Sequence, residues 1–131
     1  MAIPYIDLAL QHAHLKDRFL EEVGTLLDSG QFILGKQVRV FEEAFAEFLG
    51  CEHAVGVNSG TDALVFALHL TGTKPGDEVI CPGFGFIATV DAVLRVGGTP
   101  VLVDVDPRTY CINPDKVQAA ITDKTRAIIP V

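Results

Sequence analysis

The sequence has no cluster of basic residues and no long uninterrupted apolar run. Its 131 residues include ten Lys+Arg and seventeen Asp+Glu, a formal charge of 10 − 17 = −7. Binding to a nucleic-acid backbone requires clustered Lys and Arg, so we expect no nucleic-acid partner. No stretch approaches the roughly 18 apolar residues of a membrane helix, and the N-terminus lacks the basic and apolar regions of a secretory signal. These absences predict a cytoplasmic protein with no membrane partner.

Several short chemical motifs are missing as well. The three cysteines, Cys51, Cys81 and Cys111, form no C-x-x-C pair. An odd cysteine number without a secretory signal favours reduced thiols over disulfides. No H-x-x-x-H occurs, so we expect no metal site. The sequences G-x-S-x-G and G-K-[ST] are also absent, which argues against α/β-hydrolase and P-loop chemistry.

The N-terminal part of the chain has helical periodicity. Apolar residues, 49% of the whole sequence, provide enough material for one core. In residues 8–27 they recur near a 3.6-residue period, which predicts one long amphipathic helix. A second periodic stretch runs from Val38 to Phe48 and stops at Gly50. Residues 1–50 are therefore predicted to form a helical segment.

Residues 51–131 alternate between short apolar runs and helical periods. The expected strands are 53–57, 78–81, 101–105 and 126–131, and the expected helices are 60–70, 86–96 and 114–121. Such alternation predicts an α/β fold with a mainly parallel sheet and flanking helices. The predicted core consists of Leu64, Val65, Leu68, Val79, Ile80, Val93, Val101, Val103, Ile128 and Ile129. Because the sequence stops inside an apolar strand, we expect either a strand that closes the sheet at the last residue or the front part of a longer polypeptide.

The strongest local signal for chemistry is the sequence NSGTDAL at residues 58–64, where a predicted strand passes directly into a helix. Free N–H groups and the helix dipole make such a junction suitable for an anion, and Gly60 lets a phosphate approach the backbone. The hydroxyl groups of Ser59 and Thr61 would add donors. A purely structural reading, in which Ser59 caps the helix and Asp62 completes a capping box, is compatible with this one.

A second candidate is the sequence GFGFIA at residues 83–88. It matches G-x-G-x-x-A, follows a predicted strand and is followed by Asp104, as a dinucleotide-binding fingerprint requires. Phe86 lies in the same turn, where an aromatic ring could stack on a flat cofactor or pack in the core. Asp104 and Asp106 look like a carboxylate pair, but their place at a strand end favours turn hydrogen bonding.

Eight ordered stretches of the sequence together resemble the N-terminal part of the DegT/DnrJ/EryC1/StrS family of aminotransferases, which act on nucleotide-linked sugars. The stretches are 3–8, 28–35, 41–42, 53–64, 75–80, 86–89, 100–107 and 127–131. The resemblance covers the whole chain. It implies that residues 1–131 are the N-terminal part of the large domain of a fold-type I transferase that depends on pyridoxal 5'-phosphate (PLP).

The resemblance also implies roles for individual residues. Gly60 and Thr61, with Ser59 beside them, would hold the cofactor phosphate, and Phe86 would stack on the pyridine ring. The family often has threonine where this chain has Gly85. The Schiff-base lysine and the acid that meets the pyridine nitrogen lie beyond residue 131 in the family. No catalytic residue is therefore expected within the chain, and residues 1–131 alone should be inactive.

The implied activity is transfer of an amino group, with glutamate as donor, to a nucleotide-linked keto-sugar in amino-sugar or polysaccharide biosynthesis. The resemblance further implies a homodimer, for which the apolar loop at residues 32–34 is suited. Three alternatives stay open at this stage. They are a PLP-dependent sugar dehydratase of the same family, a non-catalytic module that binds a phosphate or a partner, and a dinucleotide-binding module.

Overall fold

The computed structural model describes residues 4–131. The chain divides into two compact units, Met1–Gly56 and Val57–Val131. The first unit is helical and the second combines helices with a sheet. The unit boundary lies six residues after the end of the helical segment that the sequence predicts.

Within residues 4–56, the first unit contains three α-helices and a short 3₁₀ turn. Helix α1 is Leu8–His12, the turn is Ala13–Leu15, α2 is Lys16–Ser29 and α3 is Lys36–Leu49. Asp7 caps α1 by accepting a hydrogen bond from Leu10 N at 2.9 Å. Both α2 and α3 end at a glycine with a left-handed backbone, Gly30 (φ 66°) and Gly50 (φ 68°).

The prediction of one continuous helix over residues 8–27 is wrong in its middle. A 3₁₀ turn separates α1 from α2. The apolar stripe is also interrupted here, because Gln11 and His12 occupy the positions three and four residues after Leu8. The second predicted helix is confirmed as α3.

The second unit is a three-stranded parallel sheet with helices. Its elements in chain order are α4 Gly60–Leu70, β1 Glu78–Pro82, α5 Ala88–Arg95, β2 Thr99–Val103, α6 Pro114–Ala120 and β3 Thr125–Ile128. The strand order is β2-β1-β3, and both pairs are parallel. Because β2 and β3 lie on opposite sides of β1, right-handed crossovers place α5 and α6 on opposite faces of the sheet. The predicted α/β class with a parallel sheet is confirmed.

The core forms around the central strand β1. Val79, Ile80 and Cys81 are fully buried, and Pro82 is buried too. The buried cluster on the α4 and α5 side of the sheet consists of Leu68, Val79, Cys81, Ala92, Val93 and Val96, with Leu64, Val65, Ala127 and Ile129 packed against it. A central strand buried on both faces has a continuous apolar sequence, as Val-Ile-Cys-Pro does here.

Most of the predicted core residues lie in or against this core. Leu68, Val79, Ile80, Val93 and Val103 are buried, while Leu64, Val65, Val101 and Ile129 are half-buried. Ile128 is 44% exposed, so its prediction is wrong. It lies on the edge strand β3 in register with Ile80, whereas α6 packs on β2 at the other edge.

The predicted strand at residues 53–57 does not form. A strand requires a neighbour that exchanges backbone hydrogen bonds, and none of the described residues supplies one. The N–H of Gly56 instead donates to Glu42 Oε1 at 2.7 Å. The last strand ends at Ile128 rather than at residue 131, since Pro130 has no N–H for the ladder.

We expect Leu68→Ala to lower the free energy of unfolding of the 131-residue chain by about 2–5 kcal/mol, because Leu68 is 3% exposed and the shortened side chain leaves a cavity in the core. Leu70→Ala is a matched control on the same helix. Leu70 is 88% exposed, so its truncation should change the free energy by less than about 0.5 kcal/mol. Urea denaturation followed by circular dichroism measures both. Equal losses in the two variants would contradict this description of the core.

Candidate functional site

The N-termini of α4 and α5 both face the carboxyl edge of the sheet, by which we mean the side where the parallel strands end. Their C-termini are adjacent on the opposite side, because the residues that follow the two helices are close together. A Cβ added at Gly97, after α5, would lie 3.0 Å from Pro75 Cγ, after α4, and one at Gly98 would lie 3.3 Å from Thr73 Cγ2. The two helices pack on each other and on the same face of the sheet. Ligands of parallel α/β sheets bind at the carboxyl ends of the strands, so this edge is the candidate site.

Ser59, Gly60 and Thr61 form the start of α4. Ser59 has an extended backbone and is the N-cap; its Oγ accepts a hydrogen bond from Asp62 N at 3.1 Å. Its carbonyl accepts from Ala63 N at 3.0 Å. Within residues 4–131, no group accepts a hydrogen bond from the N–H of Gly60 or Thr61. Ser59 and Gly60 are exposed and Thr61 is half-buried.

This helix start has the groups that an anion requires. Two free backbone N–H groups point along the positive end of the helix dipole. The Ser59 oxygen already accepts from Asp62 N, but its hydroxyl hydrogen stays available as a donor. A Cβ added at Gly60 would meet nothing within 4 Å, so there is open space beside the backbone. The capping role and the anion-binding role of Ser59 are therefore compatible in this geometry.

Phe86 lies two residues before α5 and is 75% exposed. Its carbonyl accepts a hydrogen bond from Thr89 N at 3.2 Å, which fixes the backbone at the helix start. The predicted helix over residues 86–96 therefore starts two residues later than expected. An exposed ring at this position is not core packing, so its face is available to a flat ligand.

The glycines of the GFGFIA sequence do not have the geometry of a dinucleotide fingerprint. Neither Gly83 nor Gly85 has a left-handed backbone. A Cβ at Gly83 would lie 3.5 Å from Val103 O, and one at Gly85 would lie 3.9 Å from Pro82 Cγ; both are ordinary contacts. In the fingerprint, glycine is needed for a tight turn and for close approach to a pyrophosphate. Here nothing in the local structure requires it.

Asp106 has the turn role that the sequence favours. Its Oδ1 accepts hydrogen bonds from Arg108 N at 2.8 Å and Thr109 N at 3.1 Å. The loop that it organises presents Tyr110, whose ring lies 5.9 Å from that of Phe84. This aromatic pair could not be predicted from the sequence, because Tyr110 is distant from Phe84 in sequence and follows no recognisable motif.

Three lysines belong to the second unit, and two of them lie away from the candidate site. Lys74 and Lys124 precede β1 and β3, at the amino ends of the strands. The five residues of β1 separate that edge from Phe86 by about 16 Å. Lys116 is exposed in the first turn of α6, on the face of the sheet opposite α4 and α5.

The three cysteines are free, and they differ in environment. Cys51 and Cys111 are exposed, whereas Cys81 is buried in β1. Burial raises the pKa of the Cys81 thiol to about 11, because the thiolate would lose its hydration. Over residues 4–131, no group of three or more His, Cys, Asp or Glu side chains is arranged to hold a metal ion.

None of the helices in residues 4–131 is both long and apolar enough to cross a bilayer.

The chain is similar to sugar aminotransferases of known activity. It is 52% identical over 130 residues to UDP-N-acetyl-3-dehydro-alpha-D-glucosamine 3-aminotransferase of Acidithiobacillus ferrooxidans, covering 99% of this chain and 35% of that protein. It is 45% identical over 129 residues to UDP-2-acetamido-2-deoxy-3-oxo-D-glucuronate aminotransferase of Pseudomonas aeruginosa, covering 98% of this chain and 36% of that protein. The chain thus spans about a third of the length of these relatives.

A solved structure agrees with the sequence comparison. The crystal structure of DesV from S. venezuelae, in complex with a ketimine intermediate, matches with a TM-score of 0.93 and 41% identity, over 98% of this chain and 34% of that one. Enzymes of this kind depend on PLP. The model of the DegT/DnrJ/EryC1/StrS aminotransferase family matches residues 13–131. With nearly the whole chain matched, the protein belongs to the DegT/DnrJ/EryC1/StrS aminotransferase family.

Proposed function

We propose that the polypeptide containing this chain is a PLP-dependent aminotransferase that transfers an amino group from glutamate to a nucleotide-linked keto-sugar. The observation that carries the proposal is the open start of α4, where the N–H groups of Gly60 and Thr61 lie beside the hydroxyl of Ser59. In a member of this family, such a helix start suits the phosphate of the cofactor.

The residues present fit a phosphate group. Two unpaired N–H groups, two hydroxyls and the helix dipole supply donors and positive potential for a dianion. The space beside Gly60 admits the oxygen atoms at short distance. The Asp62 carboxylate in the first turn opposes a second negative charge. Donors from other parts of the polypeptide would offset this repulsion.

Phe86 is the second part of the proposed cofactor site. Its exposed ring follows β1 at the edge that α4 also faces. We infer that this ring packs against the pyridine face, where stacking and exclusion of water fix the orientation of the ring. Bound PLP supplies the electron sink for amino transfer. Ser59, Gly60, Thr61 and Phe86 would bind and orient it, and none of them moves a proton.

The covalent part of the site is assigned to a lysine outside residues 1–131. Lys74 and Lys124 lie at the amino ends of the strands, and Lys116 lies on the opposite face of the sheet. A lysine that bonds the cofactor must reach the ring beside Phe86. The strand length alone keeps Lys74 and Lys124 too far away.

The substrate class is proposed from the names of two relatives. Both of those enzymes are named for UDP-linked sugars that carry an acetamido group and a carbonyl at C3. We therefore infer that a UDP-linked 3-oxo sugar is the first substrate to test. Within residues 4–131, no pocket at the candidate site would select one sugar over another.

The intact polypeptide loaded with PLP is expected to convert a UDP-linked 3-oxo-N-acetylamino sugar and glutamate into the 3-amino sugar and 2-oxoglutarate. Mass spectrometry of the sugar product and a coupled assay of 2-oxoglutarate measure the reaction. Glutamine and aspartate serve as alternative donors. Absence of amino transfer to any nucleotide-linked keto-sugar, together with activity on a free sugar, would overturn the substrate class.

Residues 1–131 alone provide the negative control for the same assay. With PLP added they should show no turnover, and borohydride treatment should leave only sparse labelling spread over several lysines. The reason is that, within the second unit, Lys74 and Lys124 lie at the amino ends of the strands and Lys116 lies on the opposite face of the sheet, away from Phe86. Labelling of one lysine at high occupancy, accompanied by turnover, would show that the covalent machinery lies within this chain.

Thr61→Val in the intact polypeptide should weaken PLP binding by about 10- to 100-fold, because a hydrogen bond to a charged phosphate contributes about 1.5–3 kcal/mol. Thr99→Val is the matched control, since Thr99 is exposed at the amino end of β2, away from the proposed site. Equilibrium dialysis against PLP measures both affinities. Equal affinity in the two variants would remove Thr61 from the phosphate site.

We also propose that the intact enzyme is a homodimer. The apolar side chains of Phe32, Ile33 and Leu34 are exposed in the loop between α2 and α3, and Ile33 is 86% exposed. Leu34 adopts a left-handed backbone (φ 48°), and a Cβ at Gly35 would come within 2.9 Å of Gln31 O. The loop therefore has a specific conformation that presents apolar surface, as interfaces do.

Light scattering of the intact enzyme at micromolar concentration should report a dimer. Ile33→Glu is expected to shift the population toward monomer, because a carboxylate would lose its hydration in the interface. Ile121→Glu, at an exposed position after α6, serves as control and should leave the fraction of dimer unchanged. A strictly monomeric wild-type enzyme would contradict the proposal.

A further inference from the structure

The loop after β2 is a closed unit that presents one aromatic ring. Asp106 N donates to Cys111 O at 2.9 Å, and Tyr110 N donates to Asp106 O at 2.8 Å. Val105 and Ile112 pair as an antiparallel bridge at its base. Together with the two hydrogen bonds that the Asp106 carboxylate accepts, these contacts restrain the backbone throughout.

Tyr110 has an unusual backbone within this loop. Its φ is 59°, in the left-handed region that bulky residues rarely adopt. The ring is 64% exposed, so burial in a core does not explain a tyrosine at this position. What the ring does contact is Phe84, with a centroid separation of 5.9 Å and an interplanar angle of 41°. This is the geometry of an attractive tilted aromatic pair.

Phe84 lies in the middle of the segment that carries Phe86. The segment is fixed at its start, where Gly83 N donates to Val103 O at 2.8 Å, and at its end, where Ile87 O accepts from Asp91 N at 3.0 Å. Within residues 4–131, the backbones of Phe84 and Gly85 form no hydrogen bond. Glycine at position 85 adds conformational freedom. The Tyr110 ring supplies a side-chain contact to the middle of this segment.

We propose that Tyr110 is a positioning residue for the cofactor site: through its ring contact with Phe84 it holds the 83–87 segment, and so orients the Phe86 ring. The inference rests on the proposed role of Phe86 in stacking on PLP. Tyr110 itself needs no contact with cofactor or substrate. Its phenol oxygen has no part in the proposal, because the contact is between ring faces and edges.

The test uses three variants of the intact polypeptide. Tyr110→Phe keeps the ring and removes the hydroxyl. Tyr110→Asn removes the ring, but asparagine tolerates the left-handed backbone, so the loop keeps its conformation. Phe84→Leu removes the other ring of the pair. The measurements are PLP affinity, the visible circular-dichroism band of the bound cofactor, which reports the asymmetry of its surroundings, and the unfolding midpoint.

Tyr110→Phe should match the wild type in all three measurements. Tyr110→Asn should weaken PLP binding about two- to ten-fold and reduce the dichroism band, as expected for the loss of one aromatic pair. Its unfolding midpoint should stay the same or rise, because the left-handed backbone is relieved. Phe84→Leu should have the same effect on the cofactor, and the double variant should be no worse than either single one.

Phe86→Leu separates failure of this inference from failure of the proposed site. If Phe86→Leu weakens PLP binding while Tyr110→Asn leaves affinity and dichroism unchanged, Phe86 keeps its role and the positioning role of Tyr110 is wrong. If Phe86→Leu changes neither measurement, the proposed stacking role is wrong and the inference fails with it. Additive effects of Phe84→Leu and Tyr110→Asn would also overturn the coupling between the two rings.

Discussion

Burial of β1 on both of its faces is the constraint on which the rest of the second unit depends. Val79 and Cys81 pack under α4 and α5, while Ile80 lies on the other face in register with Val101 and Ile128. Such a strand suits the centre of the sheet, since an edge position would leave one side of its backbone unpaired. The strand order β2-β1-β3 and the opposite placement of α5 and α6 follow from it.

The same constraint brings the candidate site together. Once β1 is central and its neighbours are parallel, every strand ends at one edge, and the helices that return antiparallel to the strands begin there. The start of α4, the Phe86 segment and the Tyr110 loop therefore share an edge although they are separated by up to fifty residues in sequence. The lysines that precede β1 and β3 lie at the amino ends of the strands, because the strands are parallel.

The sequence predicts the elements of the second unit well because their signals are local. The cap at Ser59 and the apolar run of β1 each depend on neighbouring residues. The predictions that are wrong depend on contacts between residues distant in sequence. Residues 53–57 have a strand-like sequence, but a strand forms only when a partner strand is present. Ile128 has the apolar character of a core residue, but it is exposed because α6 packs on β2, on the other side of the sheet from β3. The Phe84–Tyr110 contact could not be predicted from the sequence for the same reason.

In the candidate site, the sequence predicts an anion-binding start of α4 from spacing, and the structure adds that the N–H groups of Gly60 and Thr61 have no acceptor within residues 4–131. The sequence leaves Phe86 open between core packing and ligand contact, and its 75% exposure argues against core packing. The fingerprint-like glycines mislead because a spacing rule cannot report φ, whereas the backbone at Gly83 and Gly85 is one that any residue adopts. Sequence patterns thus predict a candidate site, while the conformation of each residue decides which predicted role its geometry allows.

The burial of Cys81 also determines how the chain responds to oxidants. Peroxides and disulfides react with thiolates, and a thiol whose pKa is raised to about 11 stays protonated throughout the physiological range. The sulfur at the centre of the sheet is thus protected twice, by its protonation and by the packing around it. The two thiols exposed at the surface of this chain, Cys51 and Cys111, are not part of the core around β1.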